Sequence, residues 1–316
     1  MVSGVMDKDN SPYWPVEDDL LSVDGLRNRV VECFDLLLGT FETTHDALVL
    51  ERLQSMFITQ SLHLPAHSPL VICLQNIQRA QHSMTAQVFN ELAHDRMVVA
   101  HLIQMAGTAA YSTTPCDSLE QAVLRLGLQS VKRIAENLGQ SHPELVRIGL
   151  NEDARKISAE AVRCAHLCRA LAEEMPAGIN DGLAFMCGLF AKVGQALFET
   201  RLWNSGRDVA SMTPALTEIL HSGLSPLAGL YFAMEHGLPA AICESAAFHD
   251  RPEKASPTSA PYVWIVWAVN QKIDLQQVVN DPGNLEKLMN RWPIQAPSLE
   301  QLMSKIAGLE QATILA

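Results

Sequence analysis

Three His-Asp dipeptides are the first candidates for chemistry in this chain: His45-Asp46, His94-Asp95 and His249-Asp250. Imidazole and carboxylate together can ligate divalent ions and activate water, but such a site needs further His or Asp donors from other helices. Each pair also has a plainer reading. His45-Asp46 opens a helix and is expected at the surface. Asp95 suits a cap or turn between two helices, and His249-Asp250 ends a helix just before Arg251-Pro252. Cys164 and Cys168 lie four apart on one helical face, with His166 between them. Zinc would need two more ligands at suitable spacing, and none is evident, so core packing is the competing reading. His101, His221 and His236 are isolated. No phosphate-binding loop, dinucleotide fingerprint, His-Glu-x-x-His motif or nucleophile elbow occurs.

A different signal comes from residues 183–198, which are apolar nearly all round and so belong to a buried helix. Their one charge is Lys192, bracketed by Gly188 and Gly194. Each helix-interior glycine costs about 1 kcal/mol relative to alanine, so the pair implies close backbone packing against neighbouring helices.

The surrounding elements are helical in pattern. Asp24 is expected to cap a helix ending at Gly39, and Thr43 or Thr44 to start a second. After the break at Leu64-Pro65 come short helices over 70–77, 85–92 and 96–105. Ser118 caps an amphipathic helix whose apolar positions run from Ala122 through Leu138 at a period near 3.6, with Gly139 ending it. Ile157, Ala161, Ala165, Cys168 and Leu171 form the next stripe, closed by Pro176 and Gly178. Helices are expected over 213–220, 226–236 and 239–248, then a Pro- and Ser-rich loop over 251–261. Residues 262–269 look like a strand but have no strand to pair with, so they too read as helix. Two more helical patterns surround Pro293 and Pro297. The fold class is all-α.

Bulk properties narrow the function classes. The chain has 316 residues, 48% hydrophobic and 18% charged, with net charge -12 and a pI of about 5.3. That is a globular composition with ample core. An acidic chain without a basic stripe disfavours a nucleic-acid surface and does not suit anionic membranes. No signal peptide or uncharged span of about 18 residues is evident. The seven cysteines form no CxxC, which points to buried, reduced thiols and a cytoplasmic protein.

Several ordered segments resemble the HDOD domain, an all-helical relative of the HD phosphohydrolases found in bacterial signalling proteins. Leu64-Pro65-x-x-Ser68-Pro69 is similar to its opening motif. Leu92-Ala93-His94-Asp95, followed by residues 102–109, is similar to its "I-x-x-D-P" and "L-L-r-l-a-N-S-A" segments. Here Arg96 stands where proline is usual, and Gly107 where asparagine is. Ser118-Leu119-x-x-Ala122-Val123-x-x-Leu126-Gly127 resembles "S-i-x-x-A-I-x-x-L-G". Gly188 to Gly194 corresponds to "G-L-L-H-D-I-G", and His236 to Ile242 to "W-G-L-P-x-x-I".

The resemblance implies an HD-like helical bundle over residues 62–252, a disordered start and N-terminal helical extension over 1–61, and a C-terminal helical extension over 253–316. It also implies a vestigial pocket. Ala191 and Lys192 replace the His-Asp pair, Glu160 and Ser225 fall where ligand histidines would stand, and Asn270 replaces the terminal aspartate. Only His249 keeps a ligand-capable side chain. A positive charge about 4 Å from another costs about 4 kcal/mol at an effective dielectric near 20, and about twice that against a divalent ion. No metal or cofactor is therefore expected. Lys192 either pairs with Glu160, replacing a metal crosslink by an ion pair, or reaches solvent along its aliphatic stem. The expected function is non-catalytic signalling through a protein partner or small ligand, with the segments outside the domain as partner or homodimer surfaces. The alternative is a residual metal-dependent phosphohydrolase.

Overall fold

The computed structural model describes residues 22–41, 44–59, 62–64, 86–108, 110–111, 114–141, 152–173, 175, 178–204 and 212–273, and among these no strand occurs. The helices expected over 70–77 and 276–316, and most of residues 140–155, lie outside or at the edge of these residues.

The first helices are α1 (Val23–Leu38) and α2 (Thr44–Ile58). Ser22, rather than Asp24, caps α1 by accepting a hydrogen bond from the Gly25 N–H, which leaves Asp24 as a favourable charge in the first turn. α3 (Ala86–Ala93) and α4 (Arg96–Ala106) follow. Asp95 is the cap of α4, its carboxylate accepting from the Val98 N–H at 3.1 Å.

The helix expected from Ser118 to Leu138 is two helices, α5 (Leu119–Leu126) and α6 (Leu128–Ser141). Gly127 between them has φ 74° and ψ 152°, a region essentially restricted to glycine. Its apolar spacing continues across the break, which hides the corner from a periodicity argument. Nor does Gly139 end α6, which runs through it to Ser141.

α7 (Glu152–Glu173) and α8 (Asp181–Phe190) form the centre. α8 packs against α5, α7, α12 (Ala240–Phe248) and α13 (Ala260–Ile273). All of its residues except Asp181 and Leu183 are buried. The single helix expected over 183–198 is divided after Phe190, and α9 (Val193–Asn204) continues beyond Ala191, which itself keeps right-handed helical dihedrals. Together Asp181–Trp203 is long and apolar enough to cross a membrane, but 78% of its most apolar window is buried inside the fold, the position of a core helix.

The two glycines bracketing Lys192 lie where helices touch. A Cβ on Gly188 would come within 2.9 Å of the Cys164 carbonyl oxygen and Ala165 Cα on α7. A Cβ on Gly194 would run into the Ser225 carbonyl at the start of α11 (Ser225–Glu235) and lie 2.7 Å from the Gly229 nitrogen. α10 (Pro214–Glu218) leads into α11 through a wide π turn, Ile219–Leu224. Its i→i+5 bonding shows in the Ser225 N–H donating to the Leu220 carbonyl.

The helices at both ends of the described residues contribute to the same core. α1 packs on α2 and α11, and α2 on α9. Phe34, Phe57, Phe198 and Tyr231 join these elements in one aromatic cluster, with ring centroids 5.7 to 6.4 Å apart. This close spacing contributes beyond simple area burial. Asp46 is buried, not exposed: its carboxylate accepts from the Thr213 N–H at 3.3 Å and the Thr213 hydroxyl at 2.9 Å, tying α2 to the cap of α10. At the other end, residues 262–269 are helical as expected, within α13, which packs on α7, α8 and α12. The six described cysteines are buried and free.

Candidate functional site

Where α8 gives way to α9, the chain borders a cavity of about 130 Å³. α4 supplies Arg96. α7 supplies Ile157, Glu160, Ala161 and Cys164. The α8–α9 junction supplies Gly188, Ala191, Lys192 and Gln195, and α13 supplies Asn270.

Four of the six residues expected at a vestigial pocket therefore meet: Glu160, Ala191, Lys192 and Asn270. Lys192 and Glu160 border the same space and both are exposed, but no ion pair joins them. The expected substitution of an ion pair for a metal crosslink is not what this geometry holds. Lys192 reaches solvent, as its long aliphatic stem permits. Ser225 and His249 are buried but do not line the cavity. The Ser225 backbone is instead occupied in the contact with Gly194. His249 turns its Nδ1 toward the Ala246 carbonyl at 3.3 Å and its Nε2 toward Asp250 at 3.5 Å. Burial holds its pKa below the ordinary histidine value, Asp250 opposes that, and the Lys192 charge adds to it.

Arg96 is the residue that pattern reading passed over. It is only 4% exposed, and its Nη1 has no hydrogen-bond partner among the described residues. Burial lowers its pKa to about 10, against the raising influence of Glu199 and Asp95. It remains fully charged near neutrality. The signal was present in the sequence: position 96 is where the family pattern has proline after the aspartate. Asn270 is the second under-satisfied group. Cys164 Sγ faces its Oδ1 at 3.9 Å, while its Nδ2 is buried without a partner among the described residues. Gln195 donates to Glu199 at 2.9 Å, and the Glu199 carboxylate, which does not line the cavity, is one of the two charges that support the Arg96 cation.

A divalent ion does not fit this set. It wants several carboxylate and imidazole donors. The cavity offers one exposed carboxylate and a thiol, alongside two amides and two cations. Among the described residues no group of three or more His, Cys, Asp or Glu is arranged to share an ion. The three His-Asp dipeptides are far apart in role: a buried clamp on Thr213 at Asp46, a helix cap at Asp95, and a helix end at His249. Nor do Cys164 and Cys168 gather zinc ligands. Cys168 is held well above the ordinary thiol range by burial, whereas Cys164 is lowered chiefly by its hydrogen bond with Cys168.

Comparison with known proteins bears on the whole arrangement. Residues 64–252 match the family model described as the HDOD domain. No curated protein matches. Among solved structures, the MmoQ response regulator from Methylococcus capsulatus str. Bath is similar in fold, with a TM-score of 0.54 and 14% identity over 75% of this chain and 96% of that one. An HDOD domain protein from Geobacter sulfurreducens is matched at a TM-score of 0.36 and 21% identity, over 72% of this chain and 80% of its own.

Proposed function

The chain belongs to the HDOD domain family, and from that premise we propose that it is a non-catalytic regulatory module of bacterial signal transduction, working in the cytoplasm by binding a protein partner or a small ligand. The observation that carries this reading is the composition of the cavity. Where an HD enzyme would hold metal ligands, this chain has Ala191, Lys192, Glu160 and Asn270. Two cations border the space, and a positive charge beside a metal position disfavours the ion as well as leaving it short of donors. The similarity in fold to the MmoQ response regulator accords with the signalling side of the proposal. α1, α2 and α13, which pack on the domain core, are the natural route by which occupancy of the cavity would reach a partner or a second copy.

Purified full-length protein tests this. Metal analysis after exposure to Mn²⁺, Fe²⁺ and Zn²⁺ should find less than stoichiometric metal, and phosphomonoesters and phosphodiesters should not be turned over. Stoichiometric metal together with hydrolysis that is lost in His249→Ala would replace the proposal with a residual phosphohydrolase.

A further inference from the structure

The cavity at the α8–α9 junction is not only poor in metal ligands; it is rich in unsatisfied hydrogen-bond donors. Arg96 Nη1 and Asn270 Nδ2 are both buried and both lack acceptors among the described residues. Lys192 adds an ammonium at the open side of the same space. Buried donors without acceptors are rare in native structures, because each forfeits its hydration without recompense. A guanidinium is the most expensive group to leave so. Glu199 and Asp95 act on its charge electrostatically, but the Val98 N–H donates to Asp95 Oδ1 and the Gln195 amide to Glu199 Oε1, and neither carboxylate bonds Arg96 Nη1. The one acceptor carboxylate on the lining, Glu160, is exposed and forms no ion pair with Lys192.

From this we infer that the cavity is an oxyanion-binding site, in which Arg96, Asn270 and Lys192 donate to a phosphate or carboxylate group of a small ligand. The inference rests on the proposed binding role and gives it a ligand class. A cavity of about 130 Å³ is enough for one such group, with the remainder of a larger molecule passing the open side beside Lys192. A guanidinium and an ammonium suit an oxyanion through charge-assisted hydrogen bonds, and the Asn270 amide adds a neutral donor. In chemical terms, the position where relatives of the fold would hold a cation bound by acidic and imidazole groups has been inverted, so that fixed cations await an anion.

The test uses the full chain with inorganic phosphate, sulfate and acetate as probes, at matched ionic strength against chloride. Binding is followed by calorimetry and by the chemical shifts of side-chain amides. Saturable binding of phosphate or acetate is expected, with phosphate preference indicating a phosphoryl group and acetate preference a carboxylate. Lys192→Gln should weaken it at least about fivefold and Lys192→Glu more. Lys192 is exposed, so neither change threatens the fold. Asn270→Asp should also abolish binding by turning a donor into a charged acceptor, and Arg96→Gln is the strongest test where the variant folds. Absence of saturable binding by all three anions, or affinity unchanged in both Lys192 variants, overturns the inference. Phosphoester turnover with bound metal would instead defeat the non-catalytic reading while leaving anion affinity as a separate measurement.

Discussion

Replacing Gly194 by alanine adds one methyl group where α9 and α11 meet backbone to backbone. The new Cβ would meet the Ser225 carbonyl oxygen first, with Ser225 C at 2.8 Å and the Gly229 nitrogen at 2.7 Å. All three are backbone atoms in α11, so no rotamer change relieves the contact. Ordinary van der Waals contact begins near 3.4 Å. The α9–α11 seam must therefore open by about 0.7 Å to clear the Gly229 nitrogen alone, and by considerably more to clear the Ser225 oxygen; a gap of about 0.5–1 Å already forfeits roughly a quarter to a half of each contact's dispersion energy. Overpacking usually costs about 1–3 kcal/mol where side chains can adjust; with backbone against backbone, the cost should reach about 3 kcal/mol or more. Alanine's better helix propensity returns at most about 1 kcal/mol. Gly229→Ala, on the facing helix, is the internal control. Its nearest neighbour would be the Gly194 nitrogen at 3.2 Å, followed by Ala246 Cβ and Val193 Cγ1 at 3.4 Å, so its net effect should stay within about 1 kcal/mol. Urea denaturation followed by far-ultraviolet circular dichroism measures both. A Gly194→Ala variant within 1 kcal/mol of the parent, or a Gly229→Ala variant more destabilised than Gly194→Ala, would refute the reasoning about the seam.

Two further outcomes follow from other features. His236 is buried, with its Nδ1 toward the Phe232 carbonyl at 2.9 Å and its ring stacked on Phe232, and burial holds its pKa at about 4. Its unfolded value is near 6.5. The unfolded chain thus binds the proton more tightly, so this contribution is fully present above about pH 6.5 and is lost as pH falls toward 4. Urea melts at pH 7 and 4.5 should differ by roughly 2–3 kcal/mol from this residue, a difference reduced in His236→Gln. His249, also lowered by burial, adds to the slope in the same direction. Gly127→Ala meets no neighbouring atom but must adopt φ 74°; it should destabilise by about 1–3 kcal/mol through backbone strain alone, read as a lower urea midpoint with an unchanged slope.

How much of this was legible in the residues varied with the range of the interaction. The α7 stripe and the buried α8 segment followed from apolar spacing, because a helix face reports its own burial through local periodicity. Gly188 and Gly194 announced close packing by their cost. Asp46 was not readable: its acceptor role depends on Thr213, 167 residues later in the chain, and a carboxylate at a helix start resembles an exposed one until the partner is known. The corner at Gly127 escaped because the apolar phase survives the break. At the cavity, Glu160, Ala191, Lys192 and Asn270 could be brought together only by resemblance, since they come from three separate elements. Arg96 was visible as a departure from pattern, but nothing in a single arginine says whether its guanidinium is solvated or buried without an acceptor.

The π turn at Ile219–Leu224 gives this region a tolerance for altered length in one direction only. Leu216 before it, Leu220 and Leu224 within it and Leu227 after it are all fully buried, and the wide turn absorbs one additional residue between its flanks. Loss of a single residue there would let an ordinary helix close with both flanks still in phase. Gain of a residue, or loss of two, would instead rotate the α10 side by about 100°, carrying Leu216 out of the core and pulling Thr213 away from Asp46. The spacing between α10 and α11 is in that sense a counted quantity, with one residue to spare.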